Sequence, residues 1–359
     1  MNKAIFFNPT KLSHLSIMAC LNVFDSFQEK RTAPIGLKHL KQGLNYSQQA
    51  SAAKKPGFKI VSKLRALLHA MQYSGFRSYF EKFPGTVAVV WNGRSGVRFI
   101  FIQAAKDSGV KTLYLELSPL PNTITVDPVG INYLNVVPRS TQFYLNYARF
   151  DTKWRFILRF FAQRAQSAKT FSTDNITNSP YIFVALQSEG DSQLRDFGGN
   201  YRTVDAFFNA ICSASEEINN DRKILIKEHP NCSIGAAEKA KNFKNIHIVN
   251  DLDTMELCKN ADLVVTVNSS VGLQALFMEK PVAVAGNAFW GLEDMCYSAK
   301  DLDALKQLFS KVDYSSDDNL RNSFLNYLVD EYYIHLSWQA DSLPSLPPSE
   351  KQKVLSRVN

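Results

Sequence analysis

At 359 residues the chain is too long for one typical domain, and an apolar share of 45% is enough to build a real core. Charged residues at 21%, with 16 Gly and 14 Pro, exclude disordered, collagenous and low-complexity classes. No run approaches the roughly 18 consecutive apolar residues of a membrane-spanning helix. The net charge of +8 is concentrated: through Arg65, nine Lys and two Arg stand against Asp25 and Glu29, which is +9 and leaves about −1 for the rest. Such a segment suits an anionic membrane surface or an anionic polymer, with a plainly solvated face as the alternative. No nucleic-acid module is present, so nucleic acid is not an expected partner. The five cysteines (Cys20, Cys212, Cys232, Cys258, Cys296) are odd in number and form no CxxC pair. That fits a reducing compartment better than a disulfide framework or a zinc knuckle. The opening residues lack the apolar stretch of a secretory signal. The expected location is cytoplasmic, with peripheral attachment to the inner face of the inner membrane as a possibility the basic segment opens.

In chain order, Ala4–Phe7 reads as a strand, and Leu15, Met18, Leu21 and Phe24 line a helix. Thr86–Trp91 is a short β-branched apolar run, as expected of a buried parallel strand. Asn92-Gly93 breaks it, and Gly96–Ser108 has the apolar spacing of a helix, stopped at Gly109. Lys111–Leu115 is the next strand, with Glu116 at its carboxyl end, and the stretch holding Asp127 reads as a loop. Ser140–Ala168 is aromatic and basic at helical spacing, and Phe171–Pro180 is a polar linker. Beyond it, strands at Tyr181–Leu186, Lys223–Lys227, Ile246–Val249, Leu263–Val267 and Pro281–Ala285 alternate with helices at Tyr201–Ile218, Ile234–Lys241, Thr254–Cys258 and Ser270–Met278. Alternation of this kind predicts parallel sheets with ligands at the carboxyl ends of the strands. The expected division is an N-terminal domain over 1–170, a C-terminal domain over 180–320 and a helical tail over 321–359.

The polar residues at those strand ends are the candidates for chemistry. In Lys227-Glu228-His229-Pro230, Lys227 and His229 could hold a phosphate by charge and hydrogen bond, or simply shape a loop. Asn268-Ser269-Ser270 opens a helix whose first N–H groups have no internal partners. It is therefore an anion site, an ordinary N-cap, or both. Gln187 and Asp191 lie in a polar loop after the first strand of the second half, where Asp191 could also cap a helix. Glu116 and Asp127 are two carboxylates that could divide acid, base and nucleophile roles, and Asp127-Pro-Val-Gly130 is equally a good β-turn. Neither a Walker A loop nor a GxGxxG fingerprint occurs.

WNG at 91–93, YLEL at 114–117 and PNTITVDPVGIN at 121–132, followed by LQSEGDSQL at 186–194, KEHPN at 227–231 and NSSVGLQALFMEKPVAV at 268–284, resemble in that order the bacterial capsule polysaccharide biosynthesis proteins, including the β-Kdo transferases. The resemblance spans about residues 86–290. It departs at Leu117-Ser118, where the family usually has Arg-Gly, and at Glu189-Gly190, where a Pro usually precedes the Asp. It implies an α/β, GT-B-like fold of two Rossmann-like domains with the active site between them, and a CMP-activated Kdo donor held mainly by the C-terminal domain. It further implies donor contacts from His229, Lys227, Asn268, Ser269, Ser270, Gln187 and Asp191. A retaining reaction would have Asp127 as nucleophile and Glu116 as acid/base. The expected partners are a nucleotide sugar and a lipid-linked or glycan acceptor, with no metal or other cofactor. Three alternatives stay open: a transferase of another nucleotide sugar, a GT-B-like sugar-nucleotide epimerase, and a non-catalytic capsule assembly scaffold.

Overall fold

The computed structural model describes residues 3–7, 20, 22–51, 59–158, 179–218, 222–232, 234–337 and 344–358. The first half holds β1 (Lys3–Phe7), β2 (Ser26–Lys30), α1 (Leu40–Ser51), α2 (Lys59–Lys82), β3 (Thr86–Trp91), α3 (Gly96–Asp107), β4 (Lys111–Leu117), β5 (Thr123–Asp127) and α4 (Thr141–Tyr147). There follow β6 (Tyr181–Ala185), α5 (Ser192–Phe197), α6 (Val204–Ser215), β7 (Lys223–Lys227), α7 (Ala236–Ala240), β8 (Ile246–Ile248), α8 (Thr254–Asn260), β9 (Leu263–Thr266), α9 (Ser270–Phe277) and β10 (Val282–Val284). The chain closes with β11 (Tyr297–Ser298), α10 (Leu302–Ser310), α11 (Asp318–Tyr327), β12 (Ile334–His335) and α12 (Pro348–Ser356).

Two compact units result, one formed by Met1–Val136 with Glu331–Asn359 and the other by Val137–Asp330. The structure thus divides the chain at Val137, earlier than a boundary near 170, and the tail is shared. The reason lies in α4, whose Tyr144 ring meets Phe324 of α11 edge-on at 5.1 Å and whose Tyr144 carbonyl accepts from the Ser323 hydroxyl at 2.5 Å. Past Asp330 the chain returns to the first unit. There β12 pairs with β5, and α12 buries Val354 in the same core as Val87, Leu113 and Val126. Most of the linker stretch, 171–178, and three positions of the early helix, Leu15, Met18 and Leu21, lie outside the described residues.

The first unit is a six-stranded sheet in the order β12–β5–β4–β3–β1–β2. Every residue of β3 is buried, which is why its sequence is continuously apolar rather than alternating. One departure from the expected parallel sheet matters for the chemistry: Thr123–Asp127 is a strand, antiparallel to β4, where a loop was expected. Its register sets Tyr114 opposite Asp127 and Glu116 opposite Thr125. Side chains two apart on a strand share a face, so Glu116 and Asp127 are diagonal neighbours on one side of the sheet.

The second unit is a six-stranded sheet in the order β11–β10–β9–β6–β7–β8, with every pairing parallel. Six of its described helices begin on capping side chains: Asp191, Thr203, Asp253, Ser269, Asp301 and Asp317 each accept from a backbone N–H of the helix that follows. Each cap satisfies one of the donors that a helix start leaves orphaned. All five cysteines are free.

Candidate functional site

In the second unit, the chain leaves β6 for β7 on one side while β9 lies on the other, so the strand order reverses between β6 and β9. This is the topological switch point, where an open α/β sheet splays its loops apart and receives a ligand. Gln187 follows β6 and Asn268 follows β9, and the two residues bridge that point. Gln187 Nε2 donates to Asn268 Oδ1 at 3.0 Å, and Asn268 N donates to Gln187 Oε1 at 3.2 Å. Gln187 Nε2 also reaches Asp191 Oδ2 at 3.2 Å, while Asp191 Oδ1 accepts from Gln193 N at 2.8 Å to cap α5. Asn268 Nδ2 donates to the Gln193 carbonyl at 3.0 Å. The pair is buried and polar, as a precisely positioned loop junction requires.

Directly after it, Ser269 caps α9, its Oγ accepting from Val271 N at 3.3 Å, and its own N–H donates to Thr266 Oγ1 at 3.3 Å. Ser270 is exposed at the first helical position. The helix runs close to Trp290: a Cβ on Gly272 would sit 2.2 Å from the indole ring. Gly272 therefore lets the Trp290 ring lie against the first turn of α9. The sequence expectation brought Gln187, Asp191, Asn268, Ser269 and Ser270 to one strand edge, and the structure places these five together.

The β7 pair divides. The exposed His229 ring accepts from Asn231 N through Nδ1 at 3.1 Å, so in this tautomer Nε2 is the donor. Lys227 turns the other way. Its ammonium donates to the Asn250 carbonyl at 2.7 Å and to the Leu252 carbonyl, fastening the loop after β8. Burial lowers its pKa, and the charges of Asp253 and Asp251 oppose that shift. Beside β10 and β11 lies a cavity of about 490 Å³, lined by Val284, Gly291, Asp294, Cys296, Tyr297 and Lys300 among others.

In the first unit, Glu116 stands at the end of β4 with Oε2 accepting from Asn92 Nδ2 at 2.8 Å and Oε1 from Leu117 N at 3.0 Å. Burial raises its pKa. The Asn92 and Leu117 donors and the Arg98 charge pull it back. Asn92 can serve because it adopts the left-handed conformation at φ 63°, which swings the chain out of β3, and its Oδ1 then accepts from Arg94 N at 3.2 Å. Sequence reasoning read Asn92-Gly93 only as a break; an Asn-Gly pair after a buried strand was the available signal that the Asn is left-handed.

Asp127 ends β5 and is fully buried. Its Oδ1 accepts from Val129 N at 2.8 Å and Gly130 N at 2.9 Å, and its Oδ2 from Val136 N at 2.9 Å and the Tyr332 hydroxyl at 3.1 Å. Both oxygens are thus engaged, and the loop from Pro128 to Val136 is wound around this carboxylate. Of the two carboxylates, Glu116 is the partly open one.

A family model for "Capsule polysaccharide biosynthesis protein" matches residues 151–338, just over half of the chain. The chain belongs to this family. The matched stretch takes in the whole switch-point cluster and stops short of Glu116 and Asp127. Protein FixF of Sinorhizobium fredii is 26% identical over 284 residues, 77% of this chain and 69% of that protein. The capsule polysaccharide export protein KpsS of Escherichia coli is 30% identical over 165 residues, 43% of this chain and 41% of that protein, so the chain spans less than half of KpsS. Among solved structures, the Thermosulfurimonas dismutans KpsC β-Kdo 2,7 transferase superposes with a TM-score of 0.54 at 15% identity, covering 99% of each chain. At that identity the match establishes a shared fold, and the fold is the two-unit, GT-B-like α/β class expected from the sequence.

Proposed function

We propose that this protein is a glycosyltransferase of capsule or surface polysaccharide assembly, transferring an acidic sugar, Kdo from CMP-Kdo, to a lipid-linked or glycan acceptor at the cytoplasmic face of the inner membrane. The observation that carries the reading is the switch-point cluster. An uncharged amide pair, Gln187 and Asn268, sets the start of α9 at the carboxyl edge of a parallel sheet, where the positive end of the helix and the exposed Ser270 hydroxyl suit the phosphate and carboxylate of an anionic donor. His229, with Nε2 as donor, adds a further contact. The nearby cavity has the size of a nucleoside pocket. Family membership and the fold shared with a β-Kdo transferase support the same reading. No metal enters it.

For the chemistry we assign a retaining double displacement. Asp127 attacks the anomeric carbon, the bond to the CMP phosphate breaks, and an acceptor hydroxyl then displaces the carboxylate while its proton passes to Glu116. A raised pKa suits a carboxyl that must hold a proton in one half of the cycle. Attack by Asp127 requires that Oδ2 be released by the Val136 amide and the Tyr332 hydroxyl, while the Val129 and Gly130 amides keep Oδ1 aimed.

The test is incubation with CMP-Kdo or UDP-sugars, with and without a lipid-linked acceptor, following free CMP, free UDP and epimerised sugar. Acceptor-dependent CMP release is expected. UDP-sugar turnover would replace the reading with a transferase of another donor or an epimerase, and no turnover of any donor would leave a scaffold.

A further inference from the structure

The helix α2 carries apolar side chains on two opposite faces. Toward its carboxyl half Tyr73, Phe76 and Phe80 are buried in the core against β1 and α3. Toward its amino half Ile60 is 72% exposed and Leu64 62%, with Val61, Leu67 and Leu68 each close to half exposed. At about 100° per residue these five positions fall on one arc of about 120°, turned away from the core side. Lys59 and Lys63 flank the arc on one edge and Arg65 on the other.

Among the described residues, the same face is covered farther along the helix. There Pro34–His39 crosses it, with Gly36 N donating to the Met71 carbonyl at 2.9 Å and His39 N to Ser74 Oγ at 2.9 Å. The crossing is tight enough that a Cβ on Gly75 would lie 2.3 Å from the Pro34 carbonyl oxygen. The crossing segment ends in two more outward apolar side chains, Ile35 and Leu37, at 52% and 67% exposure.

Charge identifies what such a face fits. From Lys30 to Phe80 the sequence contains ten Lys and Arg and no Asp or Glu. A protein partner interface of this kind would meet acidic and apolar groups at fixed places. A bilayer rich in anionic lipid offers both as a continuum, acyl chains under a negative surface. Exposed leucines between lysines on one helix side match that layering.

We propose that the amino half of α2 is a membrane-docking face: Ile60, Val61, Leu64, Leu67 and Leu68 enter the acyl boundary of an anionic bilayer while Lys59, Lys63 and Arg65 meet the phosphates. This deepens the acceptor half of the proposed function, placing the enzyme where a lipid-linked acceptor resides. It is tested with no donor present, so the two readings fail separately.

The test uses the full chain with phosphatidylcholine vesicles, with and without a minority of phosphatidylglycerol, in a co-sedimentation assay. Wild type should partition onto the anionic vesicles and be weakened by added salt, as screening demands. Leu64→Asp/Leu67→Asp should lower partitioning by roughly tenfold or more, since acyl burial of two leucines is lost and two repelled charges are added. Lys59→Gln/Lys63→Gln should lower it by roughly tenfold on anionic vesicles only. Both pairs lie at exposed positions, and circular dichroism checks that each variant keeps its fold. Equal partitioning of wild type and the Leu64→Asp/Leu67→Asp variant would overturn the proposal. So would a wild-type dimer in solution that the same variant converts to monomer, because the face would then bind a second copy.

Discussion

The two units handle polar groups at their strand ends in opposite ways. The first unit surrounds a carboxyl group completely: Asp127 is fully buried and its hydrogen-bond partners are donors supplied by its own unit. The second unit places a neutral pair, Gln187 and Asn268, at its switch point and leaves the neighbouring donors, Ser270 and the outer nitrogen of His229, facing solvent. A buried carboxylate must find its donors within the protein, whereas a neutral junction leaves the positive end of the helix open to an incoming anion. The first arrangement therefore fixes geometry, and the second is ready for a charged ligand.

The largest effect should come from breaking the closed set. In Asp127→Asn, one oxygen keeps its two amide donors, but the new NH₂ must face the Val136 N–H, which loses its acceptor. The Tyr332 hydroxyl can turn to accept instead. Loss of about 1–3 kcal/mol of stability is expected from the orphaned donor, together with loss of transfer by several orders of magnitude if Asp127 forms the covalent intermediate. Tyr332→Phe, which removes only one of the donors, should cost about 1 kcal/mol. Denaturant melts measure the first effect. Intact-protein mass spectrometry with donor and no acceptor measures the second, where a one-sugar adduct should map to the Asp127 peptide. An adduct on Glu116 would exchange the two roles, and full transfer by Asp127→Asn would leave Asp127 as the anchor of its loop.

In the second unit the comparison predicts separable effects. Asn268→Ala should weaken donor binding and also lower stability by about 1–3 kcal/mol, because it orphans buried polar partners on Gln187. His229→Ala should weaken binding by about 1–3 kcal/mol with the melting midpoint unmoved, since the ring is exposed and accepts only one local amide. Calorimetry with CMP beside a thermal melt distinguishes them. Lys227→Met should behave in reverse, loosening the loop after β8 with little effect on CMP affinity, because its ammonium is already held by Asn250 and Leu252. A large loss of CMP affinity in Lys227→Met would return Lys227 to the donor site.

How far the sequence could be read follows the same contrast. In the second unit β6 to β10 were legible, because they are short, β-branched and largely buried and most helices between them open on Asp, Ser or Thr; β11, two residues long, was not. The first unit hid two helices, α1 and α2, and three strands, β2, β5 and β12. In α1 the buried positions are Gly43, Ser47 and Ala50, small residues chosen for close approach: a Cβ on Gly43 would lie 2.7 Å from the backbone of Ala70. Small buried residues leave no apolar period to detect. In α2 both faces carry apolar side chains, which blurs the period in another way. The strand β5 was masked by its Thr and Asp content, by Asn122 before it and by the turn residues after it. The candidate residues could be read as types at strand ends, but their bonding could not, since nothing in Lys-Glu-His-Pro tells that the lysine is held by the loop after β8 while the histidine is exposed.

The smallest effect concerns Glu116 and sharpens the contrast by pH. Burial raises its carboxyl pKa in the folded chain, beyond what Asn92, the Leu117 amide and Arg98 recover. A carboxyl raised on folding binds its proton more tightly in the native state. Its contribution to stability is therefore full below the unfolded value and is lost as pH rises through the raised one. Glu116→Gln cannot ionise and lacks this slope. Its stability relative to wild type should rise with pH from the ordinary carboxyl range upward and level off above the raised value. Any constant offset from the altered bond to Asn92 or Leu117 is independent of pH and drops out of the trend. Paired denaturant melts of wild type and Glu116→Gln across the acidic to neutral range read the difference directly. A flat difference would mean that Glu116 meets water freely enough to titrate as an ordinary surface carboxylate, and the acid role assigned to it would lose its physical basis.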